Sequence, residues 1–498
     1  MSNSCEANSK LLSFIWMEDG RPVYTLDEAL SAMRFGKFQG LVLAYAGLGW
    51  VSEAMEIMIL SFVGPAVKLK WGLSSSEESL LTTVVFAGML LGAYSWGLIS
   101  DNYGRRKCFL SIATVTSGAG LLSAFSPNYL LLVISRCLVG FGLGGGPVFL
   151  AYFLEFVPIS YRGTWMVVFS AFWTAGTIFE ASLAWIVMPK LNWRWLLALS
   201  SIPSFALLLF YGLVPESPRY LCMRGRTTDA HQILEKIARF NRAKLPPGML
   251  ISDKSTRQNE QSASSVDTPP LSTRRKMTRK FKSGFSSFFM LFSSNIIRTT
   301  LLLWVLFFST AFSYYGMVLL TSKLSSRQSK CGGSTILHSD NSLYLNVFIT
   351  SLAELPGLIL SAILVDKIGR KFSMATMFLL ACIFLLPLVS NQSAILTTVL
   401  LFGARMSATG TITVASIYAP EIYPTAMRST SYGVASAVGR VGGMVCPLVA
   451  VGLVTGCHQT VAVILFEVVI VVAIASALLF PFETKGRELR DSVDIPDS

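Results

Sequence analysis

The sequence predicts an all-α membrane protein of twelve transmembrane helices in two pseudo-symmetric six-helix halves. Three observations carry this. Hydrophobic residues make up 52% of the 498 residues and charged residues only 14%, against about 25% charged in soluble globular proteins. About twelve apolar stretches are long enough to cross a bilayer core of about 30 Å, which takes about 20 helical residues. Short charged motifs recur in the same order in both halves at nearly one offset. A β-barrel would show short alternating segments instead. The same composition excludes a disordered scaffold, a collagen-like or disulfide-stapled secreted domain, and a nucleic-acid binder built on charge.

Taken in order, residues 1–40 form an N-terminal segment. Leu11 to Met17 is too short for a signal peptide and is followed at once by Glu18 and Asp19, so the first span serves as its own signal. Tyr24 to Gln39 reads as an amphipathic lead-in helix, with Thr25 as N-cap and Asp27 and Glu28 in the first turn. Residues 41–214 hold the first half, with spans near 41–64, 79–100, 108–125, 129–157, 164–188 and 194–214. Gly and other small residues are frequent within them, as close helix packing in lipid requires. Residues 215–299 form a basic linker, which supplies about +10 of the net charge of +13. A basic connector predicts a cytoplasmic location. Within it, 252–273 is rich in Ser, Thr, Gln and Pro and reads as disordered. The cluster Arg274, Arg275, Lys276, Arg279, Lys280 and Lys282 follows; positive-inside topology accounts for it more readily than a specific anionic-lipid site. Residues 300–482 hold the second half, with spans near 300–321, 343–365, 373–390, 394–418, 431–454 and 459–480, and 483–498 is the tail. An even number of spans places both termini in the cytoplasm.

The repeat is specific. Asp101, Gly104 and Arg105 follow span two, and Asp366, Gly369 and Arg370 follow span eight. Glu155, Pro158 and Arg162 follow span four with the spacing E-x-x-P-x-x-x-R, which Glu421, Pro424 and Arg428 repeat after span ten. Glu216 and Arg219, in Pro215-Glu216-Ser217-Pro218-Arg219 after span six, correspond to Glu483-Thr484-Lys485-Gly486 after span twelve. Together these motifs resemble the major facilitator superfamily over almost the whole chain. Gly47-Leu48-Gly49-Trp50, Glu53-Ala54-Met55-Glu56, Phe179-Glu180-Ala181-Ser182 and Tyr418-Ala419-Pro420-Glu421-Ile422-Tyr423-Pro424 are similar to the plant organic cation/carnitine transporters. These lie in a branch that also resembles niacin (nicotinate) transporters and synaptic-vesicle-type proteins. The loop between spans one and two, about fourteen residues from Pro65 to Glu78, is far shorter than in animal organic cation transporters and favours the niacin-like branch. Sugar porters carry a glutamine-rich signature in span seven; Phe312-Ser313-Tyr314-Tyr315-Gly316 stands here instead, which speaks against a hexose. The resemblance implies a substrate site near the midplane between the halves.

Ionisable groups within the hydrocarbon cost roughly 3 kcal/mol or more each and mark function by default. Glu53, Glu56, Glu180, Glu354 and Glu467 stand out, with Arg136 and Arg405. At about 1.5 Å per residue, Glu56 in span one and Arg136 in span four reach similar heights. The resemblance implies that they pair and that a proton releases the pair. Arginine does not lose its proton, so the carboxylate titrates; a structural pair that neutralises two buried charges is the competing reading. Glu53, one turn from Glu56, is placed to meet a substrate cation. Glu180 falls near the outer end of span five, where it meets substrate or water. Arg405 is placed either to bind a substrate carboxylate through its planar fork or to pair with Glu354; the two readings are equal. Glu467 lies in a peripheral span. Trp50, Trp173, Phe312, Tyr314 and Tyr315 can form a cage for a pyridinium or quaternary ammonium group, and Gly316 permits a break in span seven beside the tyrosines. Asp101, Gly104, Arg105, Glu155, Arg162, Glu216, Arg219 and their counterparts Asp366, Gly369, Arg370, Glu421, Arg428 and Glu483 read as conformational residues: they bridge helix ends and are made and broken in alternating access.

Other signals are weaker. Gly140, Gly142, Gly144, Gly145 and Gly146 mimic a phosphate loop but lie in an apolar span with no Gly-Lys-Ser/Thr, so close packing or bending beside Pro147 is the better reading. His231, His338 and His458 lack metal spacing, and the eight cysteines contain no C-x-x-C. Cys331 and Cys457 lie in loops on the same non-cytoplasmic side and can form a disulfide; Asn391-Gln392-Ser393 is a sequon on that side, close to the membrane. The expectation is a monomeric, multi-pass secondary transporter of the plasma or vacuolar membrane, working by alternating access. Its cargo is a small charged or zwitterionic metabolite of the carnitine/organic cation or nicotinate/trigonelline class, the proton is its coupling ion, and it takes neither cofactor nor metal. A non-transporting receptor or scaffold on the same fold is the alternative. No nucleophile–base pair supports an enzyme, and no nucleotide motif supports an ATP-driven pump.

Overall fold

The computed structural model describes residues 22–158, 162–251, 291–293, 296–327, 341–390, 392–423, 428–454 and 458–485. Twelve helices among them are long and apolar enough to cross a membrane. They run Lys37–Trp71, Ser75–Tyr103, Arg105–Ala124, Tyr129–Leu154, Trp165–Val187, Trp193–Leu213, Ile297–Leu324, Leu343–Ile368, Arg370–Val389, Ala394–Ile422, Ser431–Leu453 and Gln459–Leu479, and are called spans one to twelve. The face that carries the D-x-x-G-R loops is called the motif face. Cys331, Cys457, Asn391, residues 252–273 and the basic cluster 274–282 lie outside the described residues.

Several spans are longer than their apolar cores, because helices continue past the hydrocarbon until a capping residue stops them. Span one runs to Trp71, with Pro65 inside the helix. The connection to span two is therefore Gly72–Ser74, shorter than the loop expected from Pro65 to Glu78. Gly72 takes a left-handed φ of 65°, and Ser74 and Glu77 close a capping box at the start of span two. The lead-in helix α1 is Leu26–Met33, opened by the Thr25–Glu28 capping box. It stops at Arg34 (φ 54°) instead of running on to Gln39. Its approach is fixed by β1 (Val23–Tyr24), which pairs in parallel with β2 (Met249–Leu250) of the linker. Tyr24 also hydrogen-bonds to His231 Nδ1 at 2.7 Å; burial, with Glu235 nearby, pushes its hydroxyl up to about 12.

Glycine allows the closest helix contacts. A Cβ on Gly140 would stand 2.1 Å from the Val85 carbonyl oxygen, so the backbones of spans two and four touch. Span four then breaks at Gly144 and Gly145, ahead of Pro147. Gly316 does not break span seven, which is helical throughout Ile297–Arg327. A side chain there would meet Phe466 at 2.2 Å, so its smallness lets span twelve approach. Helix breaks within the membrane lie instead at Ile59 in span one, Ser201 in span six and Ala353 in span eight.

Candidate transport site

A cavity of about 210 Å³ lies between the halves. Trp50 and Glu53 come from span one, Trp173 from span five, Tyr314 and Tyr315 from span seven, and Arg440 from span eleven. Its lining continues to Met166, Ile417 and Tyr432, each within about two turns of a motif-face helix end. The cavity is thus reached from the motif face.

On the opposite face the halves are sealed. Lys323 at the end of span seven is ion-paired with Glu78 of span two, which also meets Lys68 of span one at 3.2 Å. Ser79 and Thr83 of span two contact the Pro447 and Met444 carbonyls of span eleven at 3.3 and 3.2 Å. Phe86 packs on Tyr315 with ring centroids 4.7 Å apart.

Glu53 is buried, and neither carboxylate oxygen has a hydrogen-bond partner. Arg440 of the other half faces it at 3.7 Å. The rings of Trp50 and Trp173 lie 5.3 Å apart beside it. Of the other substrate-site candidates, Tyr314 and Tyr315 line the cavity. Phe312 turns away, packing on Phe466 at 4.8 Å. Glu180 is fully buried and accepts from Ser200 Oγ at 2.7 Å, so it does not face water. Arg405 is held by Glu354 Oε1 through Nε at 3.1 Å and Nη2 at 2.7 Å. Both lie behind Tyr314, which bonds the same oxygen at 2.9 Å. Arg405 is therefore taken up by the pair, not open to a substrate carboxylate. Glu467 rests against Cys382 of span nine, away from the cavity.

Glu56 and Arg136 are brought together. Glu56 Oε2 accepts from Arg136 Nη2 at 2.5 Å and Nη1 at 3.1 Å, and both residues are fully buried. Glu56 Oε1 and Arg136 Nε have no partner.

The motif face repeats one construction in both halves. Glu216 accepts from the backbone N–H groups of Arg105 and Arg106 at 2.9 and 3.1 Å, and Glu483 accepts from those of Arg370 and Lys371 at 2.7 and 2.9 Å. Each carboxylate sits at the N-terminus of a helix, where unpaired N–H groups and the helix dipole favour negative charge. Gly104 (φ 104°) and Gly369 (φ 88°) make the turn, and a Cβ at either would strike that carboxylate. Arg105 binds Glu155 at 3.1 Å and Asp101 at 2.6 Å. Arg370 binds Glu421 through two nitrogens, each at 3.1 Å. Here the symmetry ends: Asp366 is exposed and makes no ion pair with Arg370 among the described residues. Arg162 and Arg219 meet Asp27 of α1 in place of Glu155. Arg428 begins a helix, but its side chain lies outside the described residues. These ion pairs stay within one half, as expected where the halves are parted.

Sequence reasoning passed over Arg440, Lys323 and Glu78. Arg440 carried a usable signal, being an ionisable residue inside the expected span 431–454. Lys323 and Glu78 read as ordinary interfacial charges at helix ends.

The Sugar (and other) transporter family profile matches residues 48–493. The chain is 58% identical over 489 residues to "Organic cation/carnitine transporter 7" of Arabidopsis thaliana, covering 96% of this chain and 98% of that one. It is 38% identical to the "Synaptic vesicle 2-related protein" of Pongo abelii, over 94% of this chain and 83% of that protein. Among solved structures, a partially occluded inward open conformation of the xylose transporter XylE from E. coli superposes with a TM-score of 0.69 at 17% identity, covering 91% of this chain and 100% of that one.

Proposed function

The chain belongs to the sugar (and other) transporter family of the major facilitator superfamily, and from that premise we propose that it is a proton-coupled carrier of a small zwitterion. Transport and not catalysis is the business of this family and fold. The substrate class is that of carnitine and trigonelline, with nicotinate and organic cations as its neighbours; the plant relative's name supports the former. The observation that carries the reading is the pair Glu53 and Arg440, which face each other across the cavity at 3.7 Å with the Glu53 oxygens unbonded. Burying a carboxylate costs several kcal/mol unless bonds replace its water. A substrate ammonium or pyridinium beside Glu53, between the Trp50 and Trp173 rings, offsets that cost. A substrate carboxylate on Arg440 completes the exchange. A site of balanced charge favours a net-neutral dipole over a plain cation, which Arg440 repels.

Coupling rests on Glu56 and Arg136. A carboxylate held by arginine keeps its charge, and one parted from it in an apolar cavity takes a proton. Cycling between those surroundings carries the proton with the substrate. The basic linker leaving span six supports a cytoplasmic motif face with both termini inside, in a plasma or vacuolar membrane, with the chain acting as a monomer. The motif ion pairs, now within each half, re-form across the halves when that face closes.

The test is uptake of labelled carnitine, trigonelline, nicotinate and tetraethylammonium by cells expressing the chain, at acidic and at neutral pH. Zwitterions are expected to accumulate more at acidic pH. Glu53→Gln abolishes their uptake, and Arg440→Gln loses the zwitterions while tetraethylammonium uptake rises. Surface-localised protein that moves none of the four overturns the reading.

A further inference from the structure

Glu354 of span eight is a buried carboxylate, beside the cavity, whose hydrogen bonds cross between the halves. Its oxygens are used unequally. Oε1 accepts three bonds, from Arg405 Nε, Arg405 Nη2 and Tyr314 Oη. The direction of the tyrosine bond is fixed. Trp173 Nε1 can only donate and lies 2.8 Å from Tyr314 Oη, so the tyrosine hydrogen is the one that points at Glu354. Oε2 has a single neighbour of this kind, Thr177 Oγ1 at 3.0 Å, and Thr177 Oγ1 is also 3.0 Å from the Thr174 carbonyl oxygen.

A hydroxyl has one hydrogen. If Glu354 is ionised, that hydrogen turns to Oε2. If Glu354 carries a proton on Oε2, the proton is donated to Thr177 Oγ1 and the threonine hydrogen turns to Thr174. Both arrangements fit the same heavy-atom positions. Thr177 and Trp173 belong to the first half, and Glu354, Tyr314 and Arg405 to the second. Parting the halves on the sealed face removes the partner of Oε2 and opens it to water. Trp173 and Tyr314 also line the cavity, so a substrate that displaces either ring acts on the bonds to Glu354.

We propose that Glu354 is a second proton-binding carboxylate, loaded on Oε2 against Thr177, which ties proton binding to closure between the halves. The proton comes from water and returns to water, and no other bond is made or broken. This rests on the transport reading above but assigns a site separate from Glu56, whose partner Arg136 lies in the same half. The groups facing Glu354 are Arg405 of span ten, Tyr314 and Tyr315 of span seven, Trp173 and Thr177 of span five, and Met58 of span one, which lies 3.6 Å from Arg405 Nη2. Arg405 is the charged member of that set. Its bonds go to Oε1 and leave Oε2 to Thr177.

Infrared difference spectra of the purified full chain in lipid, recorded between alkaline and acidic pH, read carboxyl protonation without any substrate. A protonated-carboxyl band is expected in the parent and in Glu56→Gln. The component due to Glu354 is lost from that band in Glu354→Gln, which keeps the signal of Glu56 and the other carboxyls, and it is shifted in frequency in Thr177→Val, while Thr177→Ser restores the parent band. If Glu354→Gln does not fold, the Thr177 pair carries the test. Proteoliposomes loaded with labelled carnitine or nicotinate give the second readout. Thr177→Val shifts the pH profile of exchange by about tenfold in proton concentration, one pH unit, and Thr177→Ser does not. Spectra identical in the parent, Glu354→Gln and Thr177→Val leave Glu354 a structural partner of Arg405 and overturn the proposal. A Glu354 band in a chain that moves no substrate upholds this site and overturns the transport reading alone.

Discussion

Among the described residues two arginines, Arg136 and Arg405, are wholly buried, and each meets one carboxylate. Breaking such a pair by removing one partner leaves an uncompensated charge and typically costs 3–5 kcal/mol, whereas removing both is often near neutral. Glu56→Gln is therefore expected to lower stability by about 3 kcal/mol, and Glu56→Gln combined with Arg136→Gln to recover most of it. Thermal unfolding of the three proteins in detergent checks this. A double variant no more stable than the single one would mean that Arg136 is held by something other than Glu56. Helix direction put both residues at one height in the sequence, and the family resemblance, not the heights, implied that they pair. Arg405 was ambiguous for a physical reason: a guanidinium can serve either a neighbour or a ligand, and only three-dimensional proximity to Glu354 decides. Arg440 was missed although the rule that flagged Arg405 applies to it. Its Gly-rich surroundings, Gly439 to Gly443, draw attention to packing and away from charge.

At the level of elements, the twelve spans follow from hydropathy, because nothing else in the chain can bury so much apolar surface. Their ends do not, since caps and not lipids stop helices: Ser74 with Glu77 shortened one loop, and Arg34 cut one helix. The repeated motifs gave the sharpest element-level result. Glu216 and Glu483 each accept two backbone N–H bonds at the start of a span, one from each half. Hydrogen bonds to a charged group contribute about 1.5–3 kcal/mol each, and more when the lost partner leaves donors buried. Glu216→Ala and Glu483→Ala are expected to destabilise by similar amounts, about 2–3 kcal/mol. Matched thermal shifts would support the equivalence of the two sites. A loss confined to one of them would show that the pseudo-symmetry is geometric but not energetic.

At the scale of the whole molecule, the distribution of ion pairs separates a half from the interface between halves. On the motif face Arg105–Glu155 and Arg370–Glu421 lie within their own halves. On the opposite face Lys323–Glu78 joins them, with Lys68 sharing the same carboxylate. Both members of the joining pair are buried, so its loss matters more than that of an exposed pair worth about 1 kcal/mol or less. Glu78→Gln leaves Lys323 and Lys68 close together without their common counter-charge, which repels the two halves at the seal. In the alternating-access cycle proposed above the interface has two sealed alternatives, and weakening one then raises the share of molecules open on that side. Val318 lies inside the seal, where its carbonyl meets Ser61 Oγ at 3.4 Å, and it is hidden in the present state. A cysteine introduced there is expected to react severalfold faster with a membrane-impermeant thiol reagent from the non-motif side when Glu78→Gln is also present, measured over the labelling of the native cysteines. Equal rates with and without Glu78→Gln would assign the seal to the apolar contacts of Phe86, Tyr315 and the span two–span eleven packing, with the ion pair a passenger.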